Sequence, residues 1–215
     1  ENILVSKAHC LLADSKYNVN RIKYYNASVK VGRAMPGVDT SLFSKAYRGD
    51  EYLRKENIYF FGDIGKHLDI DLYNQAAEDF KVYLIGIVNP SIIDKLSKKI
   101  TLLPPASPAI LSEILYNADI ITIWYKPSDY VNGVLPAKFF ECLATKKPFF
   151  VSGLQEASPY IDAVYNINGS YLQFKNIIST LSNTETDFIR QKRVKYALEA
   201  NWSERFNQFK QQIGI

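Results

Sequence analysis

Six short apolar runs, each nearly unbroken, constrain this chain more than any other feature: Ile58–Phe61, Val82–Ile87, Ile100–Leu103, Ile120–Trp124, Pro148–Ser152 and Val164–Ile167. They are rich in Ile, Val, Phe and Tyr, and most lack polar alternation. A strand with one solvated face alternates, whereas a strand covered on both faces does not. Between the runs lie stretches of helical character at Asp69–Asp79, Ser91–Lys98, Ala109–Asn117 and Pro136–Thr145, the last with a proline near its first turn. Strand and helix alternate, which predicts an α/β fold, a doubly wound parallel sheet with right-handed crossovers. Extra helices are expected toward the C-terminus, at Tyr171–Leu181, Thr186–Asn201 and Ser203–Gln212. In the second, Phe188, Val194, Ala197 and Leu198 recur among Arg190, Lys192, Arg193 and Lys195, which reads as a solvated basic face.

The first part of the chain has a different character. A helix end runs into a strand at Cys10–Ala13, and a second strand candidate, Ser28–Gly32, leads into Ala34-Met35-Pro36-Gly37-Val38-Asp39. Residues 41–56 are polar and charged, with Arg48, Asp50, Glu51, Arg54 and Glu56, and read as a connector. Met35 is the only methionine and the chain opens on Glu1, so a piece of a longer protein is expected. Residues 1–40 are then the tail of an N-terminal domain, residues 57–200 a ligand-binding domain and residues 201–215 a closing helix.

Composition narrows the function classes. With 47% apolar and 22% charged residues the chain can bury a sizeable core and is not disordered. A net charge of +4 suits an anionic small ligand or a membrane-adjacent face and falls short of a nucleic-acid binder. Cys10 and Cys142 lie in apolar runs and read as reduced thiols of a cytosolic chain. No apolar run has membrane-spanning length and no secretory leader is visible. His9 and His67 have no cluster of ligands around them, so no metal is expected, and no G-x-S-x-G elbow supports a serine hydrolase.

In an open parallel sheet, ligands bind beyond the carboxyl ends of the strands. After the first such strand comes Gly62-Asp63-Ile64-Gly65-Lys66-His67, where two glycines permit tight turns and a helix begins near Leu68-Asp69. Free amides there, with Lys66, would make a phosphate cradle. The loop is neither a Walker loop nor a dinucleotide fingerprint, and a plain βα turn fits it equally well. A stronger pattern follows the fourth strand. The helix from Pro136 carries Lys138 and Glu141 three apart, on one face near its start. A carboxylate there can accept two ribose hydroxyls, while Lys138 and the amides of Gly133, Val134 and Leu135 face a diphosphate. Taken alone, the pair reads more readily as a surface ion pair.

The stretch 118–151 resembles the donor-binding signature of the retaining GT-B-fold glycosyltransferases. Their pattern "AD…P.K.fEyLA.gkP.v" is matched by Ala118-Asp119, Pro136, Lys138, Phe140-Glu141, Leu143-Ala144 and Lys147-Pro148. His9–Ser15 is similar to the last strand of that family's N-terminal domain. Pro36-Gly37-Val38-Asp39 with Phe43 resembles its interdomain segment, and Trp202 its closing helix. The resemblance implies a Rossmann-like C-terminal domain in which Glu141 binds the nucleotide ribose and the loop holding Leu103 and Pro104 flanks the base. Two departures matter. Gly133 stands where the family has the first of its paired glutamates, and Asp63 where it often has arginine, so Lys66 or Lys138 would supply the positive charge.

The resemblance implies a glycosyltransferase that takes a sugar from a UDP- or GDP-type donor and passes it, with retention, to a glycan or lipid-linked acceptor. Cell-surface polysaccharide synthesis in a bacterial cytoplasm is the expected setting, with no cofactor and no nucleic acid. Association with the inner face of the membrane is left open. A nucleotide-sugar epimerase or a non-catalytic binding module on the same fold is the alternative, favoured by Gly133. A response-regulator or flavodoxin-type domain would need an acidic cluster or a flavin loop at the strand ends, and neither is found.

Overall fold

A computed structural model describes residues 2–49 and 55–214 of the chain. Asp50, Glu51 and Arg54 of the expected connector, and Glu1, lie outside the described residues. The architecture is a six-stranded parallel sheet flanked by helices on both faces. Its strands are β3 (Asn57–Phe61), β4 (Lys81–Ile85), β5 (Thr101–Leu103), β6 (Ile120–Trp124), β7 (Phe149–Ser152) and β8 (Tyr165–Asn166). They lie in the order β5-β4-β3-β6-β7-β8. The first three are laid down outward in one direction and the last three in the other, so strand order reverses between β3 and β6.

The unbroken apolar runs have a direct physical explanation. Successive strand side chains point to opposite faces. Tyr59, Phe61, Ile121, Ile123, Phe149 and Val151 enter the core on one face. Ile58, Phe60, Ile120, Trp124 and Phe150 enter the core on the other. Helices α5 (Pro108–Leu115), α7 (Lys138–Ala144) and α9 (Asp187–Glu199) contribute to the first layer. Helices α4 (Ile70–Asp79) and α8 (Tyr171–Thr184) cover the second.

Several expectations shift. The strand expected over Val82–Ile87 stops at Ile85, because Gly86 turns the chain with φ +149. The helix expected at Ser91–Lys98 is a 3-10 segment, Pro90–Lys95, started by Asn89, whose side chain accepts the Ser91 N–H. The strand at Ser28–Gly32 forms at Val31–Arg33 (β2) and pairs in parallel with β1 (Leu11–Ala13). Between them is a helix that the sequence pattern did not suggest, α2 (Lys16–Tyr25), after the short α1 (Asn2–Lys7). The connector holds α3 (Thr40–Phe43) and a 3-10 turn whose Ala46 is buried. The polar loop after β6 contains α6 (Asp129–Asn132). The last helix, α10 (Trp202–Ile213), returns to β2, where Gln212 donates to the Arg33 carbonyl at 2.6 Å and Arg205 to the Pro36 carbonyl at 3.1 Å.

The basic face expected on α9 is overturned at one position. Arg193 is fully buried, whereas Phe188 and Leu198 are more than half exposed. Arg193 meets the buried Glu185 through two hydrogen bonds, of 2.5 and 2.9 Å, and donates to the carbonyls of Ala163 and Lys146. This bidentate pair ties α9 to the end of α8 and to the segment before β8. The amino end of the sheet is held by a second polar cluster. Asp119 accepts the N–H groups of Glu56 and Asn57 and pairs with Arg48 at 2.8 Å, while Lys147 donates to the carbonyls of Tyr116 and Ala118 just beyond α5.

Breaking the Arg193–Glu185 pair takes the bidentate partner from a buried carboxylate and leaves it the Tyr165 hydroxyl at 3.0 Å and the more distant Arg190 at 4.0 Å. Arg193→Ala should therefore lower stability by about 3–5 kcal/mol. Replacing both partners, as Arg193→Met with Glu185→Leu, should lose far less. Urea denaturation of the single and double variants checks this, and equal losses in the two would contradict it.

Candidate functional site

The reversal between β3 and β6 sends the loops that follow them apart. Gly62, immediately after β3, has φ +122, and a side chain there would run into the Lys138 ammonium. A side chain on Gly86, after β4, would strike the Gly62 carbonyl oxygen. Both φ values suit glycine, and at Gly86 backbone approaches backbone more closely than a Cβ permits. Gly62 N–H donates to the Ile85 carbonyl at 2.9 Å and Gly86 N–H to the Leu103 carbonyl at 3.0 Å, so the two turns are stitched into the sheet. Beside them is a cleft of about 290 Å³, lined by Phe61, Gly62, Asp63, Ile85, Gly86, Ile87, Pro105, Ala106 and Leu111.

Helix α7 supplies the charged groups. Phe139, Phe140, Cys142, Leu143 and Ala144 are buried and fix the helix, which leaves Lys138 and Glu141 together on its remaining face. The surface ion pair is not formed. Lys138 instead reaches over Gly62, donating to the Phe61 carbonyl at 2.8 Å with its ammonium 4.1 Å from the centre of the Phe60 ring. Burial pulls its pKa down to about 8, against the opposing pull of nearby acids that include Glu141 and Asp63. Glu141 is half-buried, and its carboxylate makes no hydrogen bond or ion pair among the described residues. Burial raises its pKa, and Lys138 offsets part of that. A half-buried carboxylate without a partner is costly to keep, which is the usual mark of a group that awaits a ligand.

The loop after β3 is less of a cradle than its glycines suggest. Helix α4 begins at Ile70, and Asp69 caps it, its carboxylate accepting the Leu72 N–H at 3.3 Å, with Asp71 in the first turn. Two carboxylates at that terminus disfavour phosphate. Ile64 and Leu68 are buried and pin the loop to Ile87 and Tyr125. Asp63 and Lys66 are exposed, and Lys66 has no partner among the described residues. His67 stacks on Tyr130 with ring centres 4.5 Å apart.

The other expected residues divide. Of the amides at Gly133, Val134 and Leu135, the first two are used within the turn after α6, donating to Tyr130 and Val131 at 3.2 and 3.1 Å. Gly133 is buried, and the Tyr17 ring packs on it. Leu103 is committed to the sheet opposite Ile85, and Pro104 is exposed, so neither lines the cleft, where Pro105 and Ala106 stand in their place. Gly86 is the site residue that sequence reasoning passed over. Its signal, a glycine directly after an apolar strand, is present at Ile85-Gly86. Among the described residues there is no group of three or more His, Cys, Asp or Glu that could hold a metal ion.

No protein-family model matches this sequence, and no curated protein does either. Solved structures do match in fold. HepE from Anabaena, in complex with UDP and glucose, aligns with a TM-score of 0.73 at 15% identity, over 99% of this chain and 64% of that one. A glycosyltransferase from Rickettsia africae aligns at 0.69 and 14% identity, over 99% of this chain and 68% of that one. Sucrose-phosphate synthase from Thermosynechococcus elongatus aligns at 0.70 and 12% identity, over 98% of this chain and 59% of that one. These neighbours are GT-B glycosyltransferases, and the chain spans about two thirds of their length or less. At such identities the likeness establishes the Rossmann-like α/β fold.

Two lysines should titrate far below the ordinary value near 10.4. Lys138 is drawn down to about 8, and Lys147, buried and beside Arg48, to about 7. Both shifts are downward, so from about pH 7 to 10 the unfolded chain holds more protons than the folded one and stability should rise with pH. Carbon-13 NMR of the lysine ε-carbons should show both transitions, one lost in Lys138→Met and the other in Lys147→Met. Titration of every lysine above pH 10 would contradict the burial argument.

Proposed function

We propose that this chain is the nucleotide-sugar-binding part of a retaining glycosyltransferase that uses a UDP- or GDP-type donor and a glycan or lipid-linked acceptor. One observation carries the reading. Lys138 reaches over Gly62 beside a cleft at the strand ends, and the unpartnered Glu141 stands one helical turn further along α7. A nucleoside diphosphate fits that arrangement, with its base in the cleft, its ribose hydroxyls on Glu141 and its diphosphate toward Lys138, helped by Lys66. The complexes of HepE with UDP and with UDP-glucose support the substrate class, since HepE shares the fold.

None of the site residues is an evident covalent nucleophile. Rate acceleration then rests on stabilising charge that builds on the departing diphosphate, which Lys138 does from a half-buried position where its charge is poorly screened. Residues 1–40 belong on this reading to a second domain that forms the other wall of the cleft, with 41–56 as connector, 57–200 as donor domain and 201–215 as closing helix. The acceptor binds across that cleft. We assign the protein to the bacterial cytoplasm, in polysaccharide synthesis, with association at the inner membrane face left open. Among the described residues, no helix is long and apolar enough to cross a membrane. A second reading, an epimerase or a binding module, is favoured by Gly133, which puts no side chain toward the donor. Product analysis of the longer protein with a panel of donors separates the two.

Binding is testable on the chain itself. Glu141→Ala should weaken UDP or GDP by about 1.5–3 kcal/mol, the scale of hydrogen bonds to a charged group. Lys138→Ala should reduce the preference for diphosphate over nucleoside, and Lys66→Ala should reduce it further. That preference should also shrink with added salt. Because Lys138 must be protonated to hold the diphosphate, affinity should fall as pH rises through about 8. Calorimetry showing unchanged affinity in folded Glu141→Ala and Lys138→Ala would remove both from the site.

A further inference from the structure

Resting on the donor-site reading above, we propose that Tyr17 is a specificity-determining residue whose ring forms the wall against which the sugar of a nucleotide-diphosphate sugar lies. The sheet order sets out the layout. The cleft opens over the ends of β5, β4 and β3, lined by residues that include Gly86 and Pro105. Lys138 comes next, its ammonium at the end of β3. Gly133 lies on the connection that follows β6, and Glu156 on the one that follows β7. A ligand whose base fills the cleft and whose diphosphate meets Lys138 therefore extends its next group toward Gly133.

What that group meets is supplied by another part of the chain. A Cβ on Gly133 would lie 2.8 Å from Tyr17 Cδ1 and 3.4 Å from Cε1 and Cγ, so the tyrosine ring fills the place of a side chain at 133. The ring is nevertheless 40% exposed, and its hydroxyl has no hydrogen-bond partner among the described residues. It is packed on backbone and open to solvent at once. A pyranose presents a broad face of C–H groups edged by hydroxyls. A fixed aromatic ring with a polar tip is a matched surface for it.

The ring is held in place from two sides. Ser15 caps α2 by accepting the Asn18 N–H at 3.2 Å. The Glu156 carboxylate accepts the Lys16 N–H at 3.0 Å and the Tyr17 N–H itself at 2.8 Å, and pairs with Arg33 at 3.3 Å. Tyr17 is thus tied by its own amide to the connection after β7. Such charge-assisted bonds are short and strong enough to fix the first turn of α2 over the site.

The test compares UDP with UDP-glucose, and GDP with GDP-mannose, by calorimetry on the whole chain, using whichever pair binds. Tyr17→Ala should leave the nucleotide affinity unchanged and weaken the nucleotide sugar about tenfold, the scale of a lost aromatic contact. Tyr17→Phe, which keeps the ring face and loses only the polar tip, should weaken the nucleotide sugar less than Tyr17→Ala does. Gly133→Ala should also weaken only the nucleotide sugar, because its Cβ displaces the ring, and should add nothing in the Tyr17→Ala background. Equal weakening of nucleotide and nucleotide sugar by Tyr17→Ala, or no weakening of either, overturns the proposal while leaving the donor site intact. An unaltered chain that binds neither nucleotide overturns the donor-site reading and this proposal with it.

Discussion

The reversal of strand order between β3 and β6 is the constraint on which the rest of the site depends. With β4 and β5 added on one side and β7 and β8 on the other, the connections leaving β3 and β6 cannot cover the same ground. The cleft opens over the ends of β5, β4 and β3, with backbone at Gly62 and Gly86, and the Lys138 ammonium at the start of α7 lies over Gly62 beside it. Because the buried residues of α7 fix its rotation, Lys138 and Glu141 share its remaining face, and Lys138 reaches Gly62 and the Phe61 carbonyl. Their shifted proton affinities follow from the same geometry, since burial is the leading cause in both.

The stretch that carries the family resemblance divides between the two ends of the sheet. Lys138 and Glu141 stand at the carboxyl end, where ligands bind. Asp119 and Lys147 stand at the amino end and hold backbone: Asp119 collects two N–H groups and Arg48, and Lys147 caps carbonyls beyond α5. Their presence in one sequence pattern therefore reflects two different demands. One keeps α5, β3, β6 and β7 in register, and the other, on the proposed reading, presents polar groups to a ligand.

How much of this was legible in the sequence depended on whether the signal was local. The central strands β3, β6 and β7 were legible because double burial removes polar alternation, and α7 because its apolar positions and proline are contiguous. Helix α2 was not, since Lys16–Tyr25 is mostly Asn, Lys, Arg and Tyr, with no buried residue to impose a pattern. The basic residues of α9 looked alike, and only the distant Glu185 makes Arg193 an interior residue. Asp69 could have been read as a cap, because an Asp directly before Ile70 is an ordinary helix start. The contact of Tyr17 with Gly133 spans more than a hundred residues and leaves no mark in either neighbourhood.

The account stands on where a nucleotide lands, and amide chemical-shift mapping during a UDP or GDP titration measures that directly. Shifts are expected at Gly62, Gly86 and Ala106, around the cleft over the ends of β5, β4 and β3, and at Leu135 and Lys138 beside it. The chain offers a rival location, a cavity of about 510 Å³ lined by Leu12, Asn18, Tyr25 and Ala34 among others, between β1 and α2. Shifts concentrated at Leu12, Asn18 and Tyr25, with Gly62 and Lys138 unmoved, would contradict the assignment of the site.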